Sequence, residues 1–325
     1  MTTSDIPDPA SPDAATHAPG HGPLATLTRA PRWLLVALMA LILGALVAVG
    51  ATAPAAAPPP TATPSGTPTA APTPSRTASE APGLAQLGET VRQLETTYQA
   101  SIGVAISPVF APAQTDLVPW RTGTLRTGPA WATIDVPIAV AVTTGARQPD
   151  DLPYLLTRAF TDASGAGDQA LWQFLGDDAT AAEATSAILR AGGDHATVVP
   201  VGATGEYPVF SRTSWTLGDQ ATWFGAMYCM PTTWQVQLRL LHPPDDQVFG
   251  LAGLPYAMTK TSWGTGPGGG LSVRQAGIIA PADGGRVAVS LAIVPLDGDL
   301  GTARAALDDL ARALAATVTG LAGSC

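Results

Sequence analysis

The sequence predicts a mixed α/β domain, α+β in its connectivity, in which an antiparallel sheet of about five strands is flanked by helices and a mostly helical insertion interrupts it. Two observations carry this. Along residues 83–325 the hydrophobic periods run helix, strand, a block of helices, three strands, helix. The last three strand patterns are joined by Gly-rich or Asp-Gly-Gly turns, which suit antiparallel hairpins. Such a sheet draws its first strand and its last three from opposite ends of the chain. No internal repeat and no second domain boundary is visible within 83–325.

Each element has its own signal. Leu84–Gln99 places Leu84, Leu87, Val91 and Leu94 at helical spacing with charges between them. Ser101–Ser107 carries Ile102, Val104 and Ile106 in alternation, a strand. Trp131–Val142 follows Gly128-Pro129 and reads as a largely buried helix. Helical stretches follow around 151–160, 166–176 and 179–191, the last stopped by Gly192-Gly193. Thr216–Tyr228 and Thr233–Leu241 are two more. Strands are expected at about 256–263, 271–280 and 286–295. Gly301–Thr319 closes the chain as a helix with Ala305, Leu307, Leu310, Leu314 and Val318 on its apolar side.

The first eighty residues are not a domain. Residues 1–32 are expected to be a disordered cytoplasmic tail, because they lack the periodic apolar pattern needed to offset chain entropy. From Trp33 to Val49 every residue is apolar or Gly, and the run through 33–53 is long enough to span a bilayer. Arg29 and Arg32 precede it and no positive charge follows before Arg76, so the positive-inside rule puts the C-terminal part outside the membrane. The expected location is therefore the cell membrane, single-pass with an extracytoplasmic domain. Cleavage at the small-residue stretch near 51–57 would instead release the protein. Residues 54–82 alternate Pro, Ala, Thr and Ser and read as a semi-rigid linker, leaving 83–325 as the folded domain.

Composition excludes several functions. The chain has 325 residues and a net charge of −9, all of it on residues 80–325, so no basic face for nucleic-acid phosphates is expected. His17 and His21 lie in the tail, and His195 and His242 lie in loops without clustered ligands, so neither a metal nor another cofactor is expected. The run Gly264–Gly269 spells Gly-x-Gly-x-x-Gly but joins two strands and contains Pro267; it reads as a flexible hairpin loop rather than a dinucleotide site. Cys229 and Cys325 both fall in the external part. An oxidising compartment favours one disulfide between them, with intermolecular pairing through Cys325 as the alternative.

Four segments, in order, resemble the serine β-lactamase and penicillin-binding-protein (DD-peptidase-like) superfamily. Gly128-Pro129-Ala130-Trp131-Ala132-Thr133-Ile134-Asp135 resembles the segment carrying Ser-x-x-Lys. Ala159-Phe160-Thr161-Asp162-Ala163-Ser164-Gly165-Ala166 resembles the Ser-Asp-Asn region. Ser214-Trp215-Thr216-Leu217-Gly218-Asp219-Gln220-Ala221 looks like the start of a later helix of the family. Lys260-Thr261-Ser262-Trp263-Gly264 stands where the family has Lys-Thr-Gly. The resemblance covers about 83–325 and implies a three-layer αβα fold of β-lactamase/transpeptidase type, in a degenerate, membrane-anchored member of actinobacterial kind.

The same alignment removes the catalytic groups. Acyl transfer in this family needs a serine at the helix start and a lysine one turn later to take its proton. Ala132 and Asp135 occupy those positions, and Ala163, Ser164 and Gly165 replace Ser-Asp-Asn. Composition agrees, since Lys260 is the sole lysine and the chain contains no asparagine. The expectation is a pseudoenzyme with Lys260, Thr261, Ser262, Trp263 and Thr133 around its cleft. It would bind a peptidoglycan-related or other small anionic ligand, or an envelope protein. Alternatives are a weak hydrolase with Thr133 or Ser164 as nucleophile, and a structural spacer. An ion pair between Asp135 and Lys260 across the cleft is a further expectation.

Overall fold

The computed structural model describes residues 82–112, 117–162, 165–202, 207–266, 268–319, 321 and 323–325. The expected tail, the apolar run 33–53 and the linker as far as residue 81 lie outside them. Among the described residues no helix is long and apolar enough to cross a membrane.

The order is α1 (Pro82–Thr97), β1 (Ala100–Pro108), β2 (Trp120–Gly123), β3 (Thr127–Pro129), a 3-10 turn (Trp131–Ile134), α2 (Asp135–Thr144), α3 (Leu152–Thr161), α4 (Ala166–Leu175) and α5 (Asp178–Ala191). Then come β4 (Ser214–Thr216), α6 (Leu217–Cys229), α7 (Trp234–Leu240), β5 (Met258–Thr265), β6 (Leu271–Ile279), β7 (Val287–Pro295) and α8 (Leu300–Thr317). The main sheet has five antiparallel strands in the order β2-β1-β7-β6-β5.

Alternation along the strands assigns the two faces. In β7, Val287, Val289, Leu291 and Ile293 point to one core with Ile102, Val104 and Ile106 of β1, covered by Leu84, Leu87 and Val91 of α1 and Leu307, Leu310 and Leu314 of α8. The intervening Ala288, Ser290 and Ala292 face the opposite side, where Leu217 and Ala221 of α6 pack. Small residues there let the helix approach closely. A Cβ on Gly103 of β1 would stand 2.5 Å from Leu217 Cδ1 and 2.3 Å from the Leu125 carbonyl oxygen. The helical insertion has its own core around Ile138, Val140, Leu156, Leu171, Leu189 and Trp223. Helix, sheet and helix thus form three layers.

Three differences from the sequence reading have local causes. Trp131–Val142 is not one helix: a 3-10 turn leads into α2, and every α2 side chain from Asp135 to Thr143 is buried, so no polar stripe marked its start. The fifth strand, β2, and the two-stranded ribbon of β3 with β4 were not assigned to particular residues. At three or four residues rich in Thr, Gly and Arg they are too short to show alternation. Gly264 lies inside β5 rather than in the hairpin loop, and Pro267 is outside the described residues.

Cys229, the last residue of α6, is disulfide-bonded to Cys325. Beside the bond, Gly323 and Ser324 form bridges with Arg286 and Phe110, so the C-terminal segment is held to the sheet end by backbone as well as sulfur. The bond closes a loop across a separation of 96 residues, for which the chain-entropy account gives about 4–5 kcal/mol. Cys229→Ser should lower the unfolding free energy by most of that amount. Denaturant melts with and without reductant check this, since wild type should fall to the variant's midpoint on reduction.

Candidate functional site

A buried polar network sets the start of α2. Thr133 Oγ1 donates to the Ala130 carbonyl oxygen at 2.5 Å and accepts from Gln220 Nε2 at 2.9 Å. The amide oxygen of Gln220 accepts from Ser290 Oγ and from Arg274 Nη1. Arg274 Nη2 donates to the carbonyl oxygens of Gly128 at 3.2 Å and Trp215 at 3.0 Å. The guanidinium is only 1% exposed and its partners are uncharged, so burial pulls its pKa down to about 9. Six elements, β3, β4, the 3-10 turn, α6, β6 and β7, are thereby joined in one network.

Thr133 is consequently turned away from the cleft. It is fully buried and does not line the cavity, and its proton is committed to Ala130. The expectation that it binds ligand or supplies a nucleophile is corrected on that ground.

The cavity, about 300 Å³, opens between the start of α2, the end of α3, the start of α4 and strand β5. Ala132 and Asp135 line it with Lys260, Thr261, Ser262 and Trp263, and Gly165 borders it with φ +72°. Ala163 and Ser164 lie outside the described residues. Trp131 holds a left-handed backbone, φ +48°, strained for a bulky residue. Its ring meets Tyr207 edge-on at 5.3 Å and rests on Gly264, where a Cβ would stand 2.6 Å from the indole. Glycine in β5 is thus what leaves room for the tryptophan.

Lys260 and Asp135 are brought together, Nζ to Oδ2 at 3.5 Å. The contact is an ion pair without hydrogen-bond geometry, and neither Asp135 oxygen has a hydrogen-bond partner. The ammonium donates to the Ala159 carbonyl oxygen at 2.9 Å and lies 4.9 Å from the Phe160 ring centroid. With 5% exposure it stands in the cavity wall.

Asp168 of α4 is the site residue that sequence reading missed. It lines the cavity beside Asp135 and is 8% exposed. Its signal was available: Asp168, Leu171 and Trp172 share one helical face, and the other two are core residues. Burial first, then the Asp168 charge, raises the Asp135 pKa well above the carboxylate range, and Lys260 offsets only part of this. Burial raises Asp168 to about 6 against the pull of Lys260.

No protein-family model matches the chain, and no curated protein sequence matches it significantly. Solved structures do. A β-lactamase from Xanthomonas campestris superposes with a TM-score of 0.55 at 16% identity, over 73% of this chain and 98% of that one. A β-lactamase from Streptosporangium roseum gives 0.55 at 16%, over 71% and 98%. The TLA-1 extended-spectrum β-lactamase gives 0.57 at 13%, over 73% and 99%. The fold is that of the class A serine β-lactamases. Within that β-lactamase fold, the cleft of this chain is built from an alanine, a carboxyl pair, one lysine and aromatic walls. Among the described residues no group of three or more His, Cys, Asp or Glu is placed to hold a metal.

Two outcomes are expected. Arg274→Met removes the donor from Gly128 and Trp215, at about 1–3 kcal/mol for each acceptor left unpaired, which urea unfolding measures, while the Gln220 amide oxygen keeps Ser290. For Asp168, a carboxyl whose folded pKa is raised from 3.8 to about 6, the folded state binds more protons than the unfolded state between those values. Its contribution to stability is complete below pH 3.8 and is lost as pH rises through about 6. Asp168→Asn should flatten the fall in urea midpoint across that window.

Proposed function

We propose that residues 82–325 form a binding domain that keeps the β-lactamase cleft and performs no acyl transfer. One observation carries the reading: Ala132 and Asp135 border the cavity at the positions where the resemblance puts the serine nucleophile and its lysine base. A methyl group cannot attack a carbonyl, and with Ala132 at that position there is no hydroxyl there for any base to activate. Three wall hydroxyls are committed elsewhere, with Ser262 Oγ donating to Ala130, Ser211 Oγ to Pro208 and Thr161 Oγ1 to Thr157. The ligand would be a cell-wall peptide fragment occupying the cavity. The disulfide and the apolar run 33–53 support a placement outside the cytoplasmic membrane, tethered through that run and the 54–82 linker.

Incubation of the full chain with a labelled penicillin, followed by intact mass measurement, should give no covalent adduct. Ala132→Ser alone should not create one, because Asp135 stands where the resemblance puts the lysine and supplies no positive charge there. Muropeptide fragments should raise the melting temperature of wild type and leave that of Ala132→Phe, which fills the cavity, unchanged. A stable adduct on wild type would overturn the reading, and absence of any muropeptide shift would leave the spacer reading in its place.

A further inference from the structure

The cavity that Lys260 lines is predominantly acidic. Asp135, Asp162 and Asp168 line it against that one ammonium, and Arg158 reaches Asp162 at 2.6 Å without lining the cavity. Two polar groups, each more than nine-tenths buried, border the space without hydrogen-bond partners: the Asp135 carboxyl and the indole N–H of Trp131. A buried carboxyl whose one cation stands 3.5 Å away, outside hydrogen-bond geometry, and a buried indole with no acceptor each carry a desolvation cost that a complementary ligand would relieve. Between them the walls are aromatic, formed by Phe160, Tyr207, Phe210 and Trp263. Such rings favour a cation, as the placement of the Lys260 ammonium over Phe160 illustrates.

We infer that this cleft recognises a protonated primary amine with a carbonyl group beside it, the ammonium lying against Asp135 and Asp168 and the carbonyl accepting from the Trp131 indole N–H. The inference rests on the binding reading above and specifies the ligand class for that site.

Binding is linked to a proton. The charged and titratable groups around Asp135 are Asp168 from α4, Lys260 from β5, and Asp162 with its partner Arg158 at the end of α3; α2 itself carries no other. An ammonium placed beside Asp135 favours its carboxylate, so a proton held there leaves for solvent while the amine keeps its own. Affinity for the amine therefore climbs as pH rises through the range in which Asp168 and then Asp135 ionise.

The test is calorimetric titration of the full chain with four probes of one shape at slightly acidic pH. Phenylalaninamide carries the amine and the carbonyl, hydrocinnamide lacks the amine, phenethylamine lacks the carbonyl, and hydrocinnamate is an anion. Phenylalaninamide should bind about tenfold or more tightly than hydrocinnamide, and its heat should vary with buffer ionisation enthalpy, reporting proton release. Asp135→Asn should lose that advantage and the buffer dependence, with an unchanged or higher melting temperature showing that it folds. Lys260→Gln should tighten amine binding, and Trp131→Phe should equalise phenylalaninamide and phenethylamine. Preferred binding of hydrocinnamate, or weaker amine binding in Lys260→Gln, overturns the inference and leaves the binding reading standing. So does muropeptide binding when no amine probe binds. Failure of muropeptides and probes alike overturns both.

Discussion

The guanidinium of Arg274 sits inside the protein with no carboxylate to neutralise it, and the geometry of the cleft depends on how it is satisfied. Isolated buried charge is among the most expensive things a fold can contain. Here the cost is offset by spreading the charge over three acceptors: the amide oxygen of Gln220 and the carbonyls of Gly128 and Trp215. Each acceptor belongs to a different piece of chain. Gln220 passes the constraint to Thr133, and Thr133 pins the 3-10 turn that presents Trp131 and Ala132 to the cavity. The sheet and the helical insertion are therefore registered by a polar contact buried between two apolar cores. Had Arg274 been replaced by an apolar residue, neither core alone would specify where α2 begins.

From that anchored turn the electrostatics of the cleft follow. The side chain one turn on from Ala132 is Asp135, and α2 is buried from Asp135 to Thr143, so the carboxyl is largely withdrawn from water. Asp168 approaches from α4 and Lys260 from β5, and the lysine is too fully used by Ala159 and Phe160 to cancel both acids. The cavity is thereby left lined by Asp135, Asp162 and Asp168 beside a single lysine.

Much of this was legible in the sequence where periodicity was strong. Leu84, Leu87 and Val91 announced α1, and Ile102, Val104 and Ile106 announced β1, because a buried stripe leaves a regular trace. The quoted motifs placed Ala132, Asp135 and Lys260 around one cleft, and the structure brings them together there. What failed to show was short or non-periodic. β2 is four residues, and Trp120, Arg121, Thr122 and Gly123 carry no alternation. The environments of Thr133 and Lys260 were hidden for a different reason. Sequence gives the residue type, whereas direction is decided by partners far along the chain, such as Gln220 for Thr133 and Ala159 for Lys260. Asp168 was overlooked because an acid in the first turn of a helix ordinarily has a sufficient explanation in the helix dipole.

The strand order β2-β1-β7-β6-β5 also bears on how the molecule is made. β1 is among the earliest elements of the domain to be synthesised, yet its central neighbour β7 is the last strand. The helical insertion, with contacts closer in sequence, can organise while synthesis continues, but Ile102, Val104 and Ile106 must wait for Val289, Leu291 and Ile293 before their face is covered. Pairings this distant in sequence slow folding and prolong exposure of an apolar strand edge. Assembly of the sheet is thus a late, all-at-once event, and the interval before it is when the chain is most open to aggregation or proteolysis.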